Sequence, residues 1–468
     1  MHYTLPADIR LHPDYENLKR EGKLENPSPS LIEDLLEENR QFYQSVDADS
    51  VVHRLNNIVA EIGKMLVNRT TITRQGLRAL MTSEHQFIFS GAGVAKSLYA
   101  NQIFSFFKAA RTFSIQFCPD TTPDDLFGAY DIEKFKKGEV VHNIEGSIIS
   151  KPFAFLDEFM DGNDKLLRTL LGVLLERRFI AGNQVEEAML HTAIATSNYM
   201  RMSETTEALL DRFLYKSFIN PAKDMYTLLR IDQVYNRNAG QIQKPDPGRL
   251  IDLRELTAIK RIIRNQDEHR SIHCPIEIQY LKNMVVSSYE SEMKKYRSGY
   301  YISPRTISKG NDCLKANAML AGRKTVIEED VEKLYYLFCT MNEPLDEGRT
   351  LLSQKLFKKV FRSRLQYFHS FQDELRPLLY TFEFLQEAHR NPGLLDKPIE
   401  DLQDGSKGWL PDLVSSLRQA FGHREDIPFD HSRSSFLKLI EPCGEKNQEL
   451  YDFKKQVLDL MDLVYGRG

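Results

Sequence analysis

Phe87-Ile88-Phe89-Ser90-Gly91-Ala92-Gly93-Val94-Ala95-Lys96-Ser97-Leu98 is the stretch on which the reading of this 468-residue chain turns. An apolar strand enters a run of small residues, and Lys96-Ser97 then opens a helix. Small side chains let backbone N–H groups close around phosphate oxygens, and a helix N-terminus adds partial positive charge. At this spacing Lys96 can reach the β- and γ-phosphates of ATP, and the Ser97 hydroxyl can coordinate Mg²⁺. The match to G-x-x-x-x-G-K-[ST] is incomplete, with Ser90 and Ala95 at the two glycine positions. Taken alone, the segment also fits an ordinary strand-turn-helix. The phosphate-holding residues expected here are Ser90, Gly91, Ala92, Gly93, Val94, Ala95, Lys96 and Ser97.

The surrounding pattern alternates short apolar strands with helices. Strands are expected at 86–89, 113–117, 153–156, 192–196 and 214–219, with helices at 96–111 and 165–178. Nearly continuous apolar strands between helices predict a parallel α/β sheet buried on both faces. Upstream, Val52, Leu55, Ile58, Val59, Ile62 and Leu66 recur at helical spacing. Before them lies a proline-broken arm and a helix at 29–36 with Ser30 as its N-cap. Beyond Asn220-Pro221 strand signals fade. The expected division is an arm and helix (1–50), an α/β core (51–221), an all-helical lid (222–343) and a helical C-terminal domain (344–468). Leu450, Phe453, Val457, Leu460 and Val464 read as a bundle seam.

A second feature, this one acidic, supplies the other half expected of a nucleotide site. Phe153-Ala154-Phe155-Leu156 ends in Asp157-Glu158. One strand end can place Asp157 near the metal and Glu158 near an attacking water, as general base. Capping of the next helix is the competing role for these acids. The strand 192–196 runs into Ser197-Asn198, and an asparagine there, between the first and third strands, can contact the γ-phosphate or the water; an Asx turn is its alternative.

With Glu207-Ala208-Leu209-Leu210-Asp211-Arg212-Phe213 added, these motifs in this order resemble the MoxR branch of AAA+ ATPases. Thr121 to Gly128 resembles the same branch after its second strand. Ala before the lysine is usual there, so Ala95 becomes a shared trait and Ser90 a departure. The resemblance spans roughly 50–345. It implies Asn198 as sensor 1 and Arg212 as the arginine finger acting on a neighbouring subunit's ATP. It also implies Arg305, in Ser303-Pro304-Arg305, as sensor 2. An ion pair with Asp211 or Glu207 is the alternative for Arg212, and a solvated helix start that for Arg305. The resemblance further implies a helix-2 insert at 129–150, including Lys136-Lys137-Gly138-Glu139, and a hairpin at 178–190 turning at Gly182-Asn183, both facing a ring pore. Additions after the lid are similar to the RavA subgroup. The implied assembly is a homo-oligomer, a hexameric ring, and the implied client is a protein with a von Willebrand factor A domain.

Composition sets the remaining bounds. Apolar residues are 41% and charged residues 27%, and the formal net charge is -4. That acidic balance argues against nucleic acid as a partner. Lys355, Lys358, Lys359, Arg362 and Arg364 interleave with Phe357, Phe361, Tyr367 and Phe368, which reads as a core stripe beneath a solvated face. No apolar run reaches membrane-spanning length, and no secretory signal is read at Met1–Pro6. Five scattered cysteines fit a reducing, cytoplasmic setting. His423, Asp426, Asp430 and His431 lack metal-site spacing. The expected function is chaperone-like: ATP hydrolysis at ring interfaces that remodels a protein partner. A nucleotide-switched scaffold with little turnover and a nucleic-acid-associated motor subunit are the alternatives.

Overall fold

The computed structural model describes residues 5–24, 26–91, 93–108, 111–136, 138, 140–182, 184–199, 204–219, 224–238, 245–296, 298–338, 352–396, 432–445 and 447–466. Ala92, Lys137, Glu139, Asn183, the boundary residues at 220–223, the expected 343/344 boundary, and the 397–431 stretch with His423, Asp426, Asp430 and His431 lie outside them.

Five strands form one parallel sheet. They are β1 (Gln86–Ser90), β2 (Thr112–Gln116), β3 (Phe153–Asp157), β6 (Thr192–Ser197) and β7 (Tyr215–Ile219), in the order β2-β3-β6-β1-β7. The register sets Ile88 beside Thr196, Leu156 beside Ala195, and Gln116 beside Asp157. A separate antiparallel hairpin joins β4 (Arg178–Ala181) to β5 (Gln184–Glu187). The strands are valine-poor but aromatic-rich, and the rings interlock. Phe87, Phe159 and Phe213 stack edge to face with centroids 5.3–6.4 Å apart. The result is an α/β parallel sheet flanked by helices, the fold class expected from the sequence.

The order has a functional consequence. The chain leaves β1 and returns three positions away at the edge strand β2, and it later passes from β6 across β1 to β7, so connections lie on either side of β1. Ligands of open α/β sheets bind at such switch points, beyond the strands' carboxyl ends. β6 lies between β1 and β3, which brings Lys96, Asp157 and Asn198 to one place.

Several local expectations are corrected. The first long helix is Pro29–Ser45, and Ser28 rather than Ser30 caps it, accepting from Leu31 N at 3.2 Å with Pro29 at the first helical position. The helix opened by Lys96 ends at Phe104, well short of Arg111. Phe107 instead bridges to Ile251, and Lys108 N donates to Ile251 O at 2.8 Å, so tertiary pairing draws the chain out of the helix. The helix expected at 165–178 is Asp164–Leu175, capped by Asn163, and Arg178 already belongs to β4.

Two compact units divide the chain. The first comprises Met1–Ile272, Gly299–Lys324 and Lys333–Phe357, and holds the sheet. The second comprises His273–Ser298, Thr325–Glu332 and Lys358–Gly468. Within the second, Tyr280 and Phe382 both pack on Phe453, with centroids 5.9 and 5.6 Å away. Its last helix, Gln448–Tyr465, buries Leu450, Val457, Met461 and Val464; Met461 takes the place expected for Leu460. No described helix is long and apolar enough to cross a membrane.

Candidate active site

Everything in the site follows from how β1, β3 and β6 end. β1 closes on Ser90, which is fully buried and donates its hydroxyl to Gly91 O at 3.1 Å. The side chain at the non-glycine position is thus satisfied by the loop's own main chain. Gly93 and Ala95 are both left-handed, with φ of 75° and 60°. Ala95 is the N-cap residue of the Lys96–Phe104 helix. A left-handed alanine costs roughly 1–2 kcal/mol, so the loop carries stored strain where it meets the helix.

Lys96 is buried and donates through Nζ to Asn198 Oδ1. Burial pushes its pKa below the usual lysine value, while the Glu158 and Asp157 charges pull it back up. Asn198 Nδ2 donates in turn to Glu158 Oε1. Ser97 Oγ donates to Asp157 Oδ2 at 3.1 Å, and Thr196 Oγ1 donates to Asp157 Oδ1. Asp157 Oδ1 also accepts from Glu158 N at 3.1 Å. Six side chains from three adjacent strand ends therefore form two linked hydrogen-bonded sets. Glu158 itself is left-handed, φ 48° and ψ 42°, turning the chain sharply over the buried Phe159 and Met160. Strain of this kind in a non-glycine residue concentrates at functional sites.

Thr196 was not among the expected residues. The available signal was spacing: Thr196 near the end of β6 and Asn198 just past it are two apart, and both meet the acids. Ser97 and Asp157 are a pair of hard oxygen donors close together, which suits Mg²⁺, an ion that keeps most of its waters and takes one or two protein ligands.

Arg212 and Arg305 belong to a second cluster, centred on Asp211. Arg212 Nη1 donates to Ala208 O at 2.8 Å and lies 3.6 Å from Asp211 Oδ2. Arg305 Nη1 lies 3.3 Å from the same oxygen. Asp211 Oδ1 accepts from Ser303 Oγ at 2.7 Å and Thr306 Oγ1 at 3.2 Å. Ser303 also caps the helix Pro304–Leu320. Asp211 thus fixes the start of that helix to the end of Glu204–Arg212, and the next residue, Phe213, is buried against Phe87 and Phe159.

The sequence also left unread a cavity of about 330 Å³ beside the loop. Val67, Arg69, Val94, Leu98, Ile231 and Tyr235 are among its walls. A mainly apolar recess of that size beside a phosphate loop can take a flat heterocycle. Ile231, Val234 and Tyr235 on the helix Met225–Asn238 supply one wall at helical spacing.

Comparison with known proteins follows the same lines. Residues 53–245 match a family model described as the MoxR domain in the MoxR-vWA-beta-propeller ternary systems. An uncharacterized protein of Methanocaldococcus jannaschii is 25% identical over 292 residues, 62% of this chain and 70% of its own length. The chaperone MoxR1 of Mycobacterium tuberculosis is 23% identical over 292 residues, 60% of this chain and 73% of its own. The crystal structure of a candidate ATPase from Cytophaga hutchinsonii superposes with a TM-score of 0.51 at 20% identity, covering 70% of this chain and 96% of that one. At that identity the likeness speaks for the fold alone.

Proposed function

We propose that this chain, whose residues 53–245 match the MoxR-domain model, is a MoxR-family AAA+ ATPase that hydrolyses ATP with Mg²⁺ at the interfaces of a homo-oligomeric, hexameric ring and remodels a protein partner. The observation that carries this is the hydrogen-bonded grouping of Lys96, Asn198 and Glu158 beside Ser97, Asp157 and Thr196.

In this reading the loop 90–97 wraps the phosphates, and Lys96 meets the β- and γ-oxygens. The base occupies the cavity between Val67 and Tyr235. Ser97 and Asp157 hold Mg²⁺, whose charge offsets that of the phosphates. Glu158, steered by the Asn198 amide, takes a proton from the water that attacks the γ-phosphorus; the new P–O bond forms as the bond to ADP breaks. Charge then builds on the leaving oxygens. Arg212 and Arg305, which share Asp211 within one chain, offset it together from the adjoining copy.

Surface chemistry supports an assembly. On the helix Met225–Asn238, Met225, Tyr226, Leu229 and Tyr235 are each more than half exposed, and Thr227 is its only residue counted as buried. Apolar surface gathered on one element beside the nucleotide cavity suits a subunit contact. The expected insert and hairpin are tied together through His142 and Gln184, at 2.8 and 3.2 Å. Ile132, Phe135, Val140 and Ile180 are exposed on them. Those side chains suit a protein client, and we take it to be a von Willebrand factor A domain protein, in keeping with the family's description. We place the reaction in the cytoplasm on the composition grounds given above. Nucleic acid is not favoured as partner: Phe357, Phe361 and Phe368 are buried while Lys355, Lys359 and Arg362 are exposed, the pattern of a core stripe under a solvated face.

Subunit mixing tests the shared site. Lys96→Ala and Arg212→Ala proteins should each be inactive. Mixed in equal amounts, they should recover about a quarter of wild-type turnover, since one interface in four pairs an intact Lys96 with a neighbour's intact Arg212. Full activity of Arg212→Ala alone would remove the ring-interface model.

A further inference from the structure

Arg69 lies outside every motif of the sequence, yet its guanidinium reaches the phosphate loop. Nη2 donates to Val94 O at 2.8 Å. Nη1 donates to Val67 O at 3.3 Å and Asn68 O at 3.2 Å. Asn68 is left-handed at φ 57°, and that bend aims the carbonyls and the arginine toward one point just before the helix Thr70–Thr82. Burial alone lowers the guanidinium's pKa, with no carboxylate acting on it. Its charge is directed at main-chain oxygens rather than at an acid. Such charge-assisted bonds are stronger than those between neutral groups.

The carbonyl it holds is the one that matters for loop shape. Val94 C=O and Ala95 N–H share a single peptide plane, and Ala95 takes φ 60° and ψ 40°. Alanine does not favour that conformation as glycine does, so an outside contact must stabilise it. The grip on Val94 O orients the peptide that enters Ala95. It thereby fixes the N–H groups of the first turn, where Lys96 and Ser97 begin. Arg69 is also among the residues that wall the cavity beside the loop.

We propose that Arg69 is a positioning residue for the nucleotide: by gripping the Val94 carbonyl it holds the phosphate loop in its left-handed turn and sets nucleotide affinity, while taking no part in the hydrolytic step. The proposal rests on the ATP reading above.

Binding of a fluorescent ATP analogue and steady-state hydrolysis, on the full-length chain, test it. Wild type that fails to bind the analogue, or Lys96→Ala that binds as wild type does, overturns the ATP reading itself. With that reading intact, Arg69→Ala should raise Kd and KM about tenfold and leave kcat within about twofold. Arg69→Lys, which keeps one charged donor but loses the fork, should raise KM about threefold. Ala95→Gly placed on Arg69→Ala should recover about threefold of the lost affinity, because glycine needs no outside support for that turn. If Arg69→Ala does not fold, Arg69→Lys with and without Ala95→Gly decides by the same rescue. Unchanged Kd in the Arg69 variant, or a loss that Ala95→Gly does not relieve, overturns the proposal.

Discussion

His85 and His191 show how one buried side chain sets the conditions under which the sheet survives. His85 is fully buried at the amino end of β1; Ala193 N donates to its Nδ1 at 2.8 Å, and its Nε2 lies 2.8 Å from Leu174 O. A ring that accepts at Nδ1 is neutral. Burial, with the Arg177 charge nearby, holds its pKa well below 6.5, and burial does the same for His191. The unfolded chain therefore binds protons that the folded chain refuses. Stability is fully present above about pH 6.5 and falls as the pH drops toward the folded values, at up to roughly 1.4 kcal/mol per pH unit for each ring. Denaturant melts at pH 7.5 and 5.5 should differ by a few kcal/mol; equal midpoints would remove this account of the two rings. At the same scale, Asp157, Glu158 and Asn198 were legible because acids and an amide stand at the tips of apolar strands. Thr196 and Arg69 were not. Their roles depend on which strand lies beside which, and on a turn that brings residue 69 to residue 94.

Among the elements, the link between the Thr121–Gly128 motif and the insert depends on one glycine. Gly128 has φ 88°, and a Cβ there would fall 1.9 Å from Asn143 O. Asn143 N returns to Ala129 O at 2.8 Å, and His142 Nδ1 lies 2.7 Å from Gly128 O. The insert's return strand thus runs against the Gly128 backbone, where no side chain fits. Gly128→Ala should cost about 2 kcal/mol or more, from left-handed strain and the backbone clash together. Its effect should appear as faster proteolysis within 129–150, with the sheet's melting lowered less; an insert as protected as in wild type would contradict this. Elements were readable from the sequence wherever periodicity ruled. The five sheet strands lie within a residue or two of their expected places. The Lys96 helix was over-read because Phe106 and Phe107, apolar at helical spacing, serve a pairing with Ile251 that periodicity does not reveal. The cap moved from Ser30 to Ser28 because Pro29 suits the first helical turn.

For the whole molecule, individual buried groups pull stability in opposite senses with pH, and one carboxyl of the second unit opposes the two rings. In that unit, Glu383 is raised to about 7, mainly by burial and then by Glu277, which itself accepts from Tyr380 and lies 3.7 Å from Arg376. A carboxyl raised in this way contributes stability fully below its unfolded value, near 4.5, and loses it as pH rises through about 7. Glu383→Gln should therefore stabilise the second unit by about 1–3 kcal/mol at pH 8 and by little at pH 4.5; the reverse order would refute the assignment. The central claim concerns the first unit and one carboxylate. Steady-state ATP hydrolysis by wild type and Glu158→Gln, with analogue binding measured in parallel, tests it most directly. The account predicts that Glu158→Gln lowers kcat by about 10²–10⁴-fold while nucleotide affinity stays within a few-fold of wild type. Turnover by Glu158→Gln equal to wild type would contradict it.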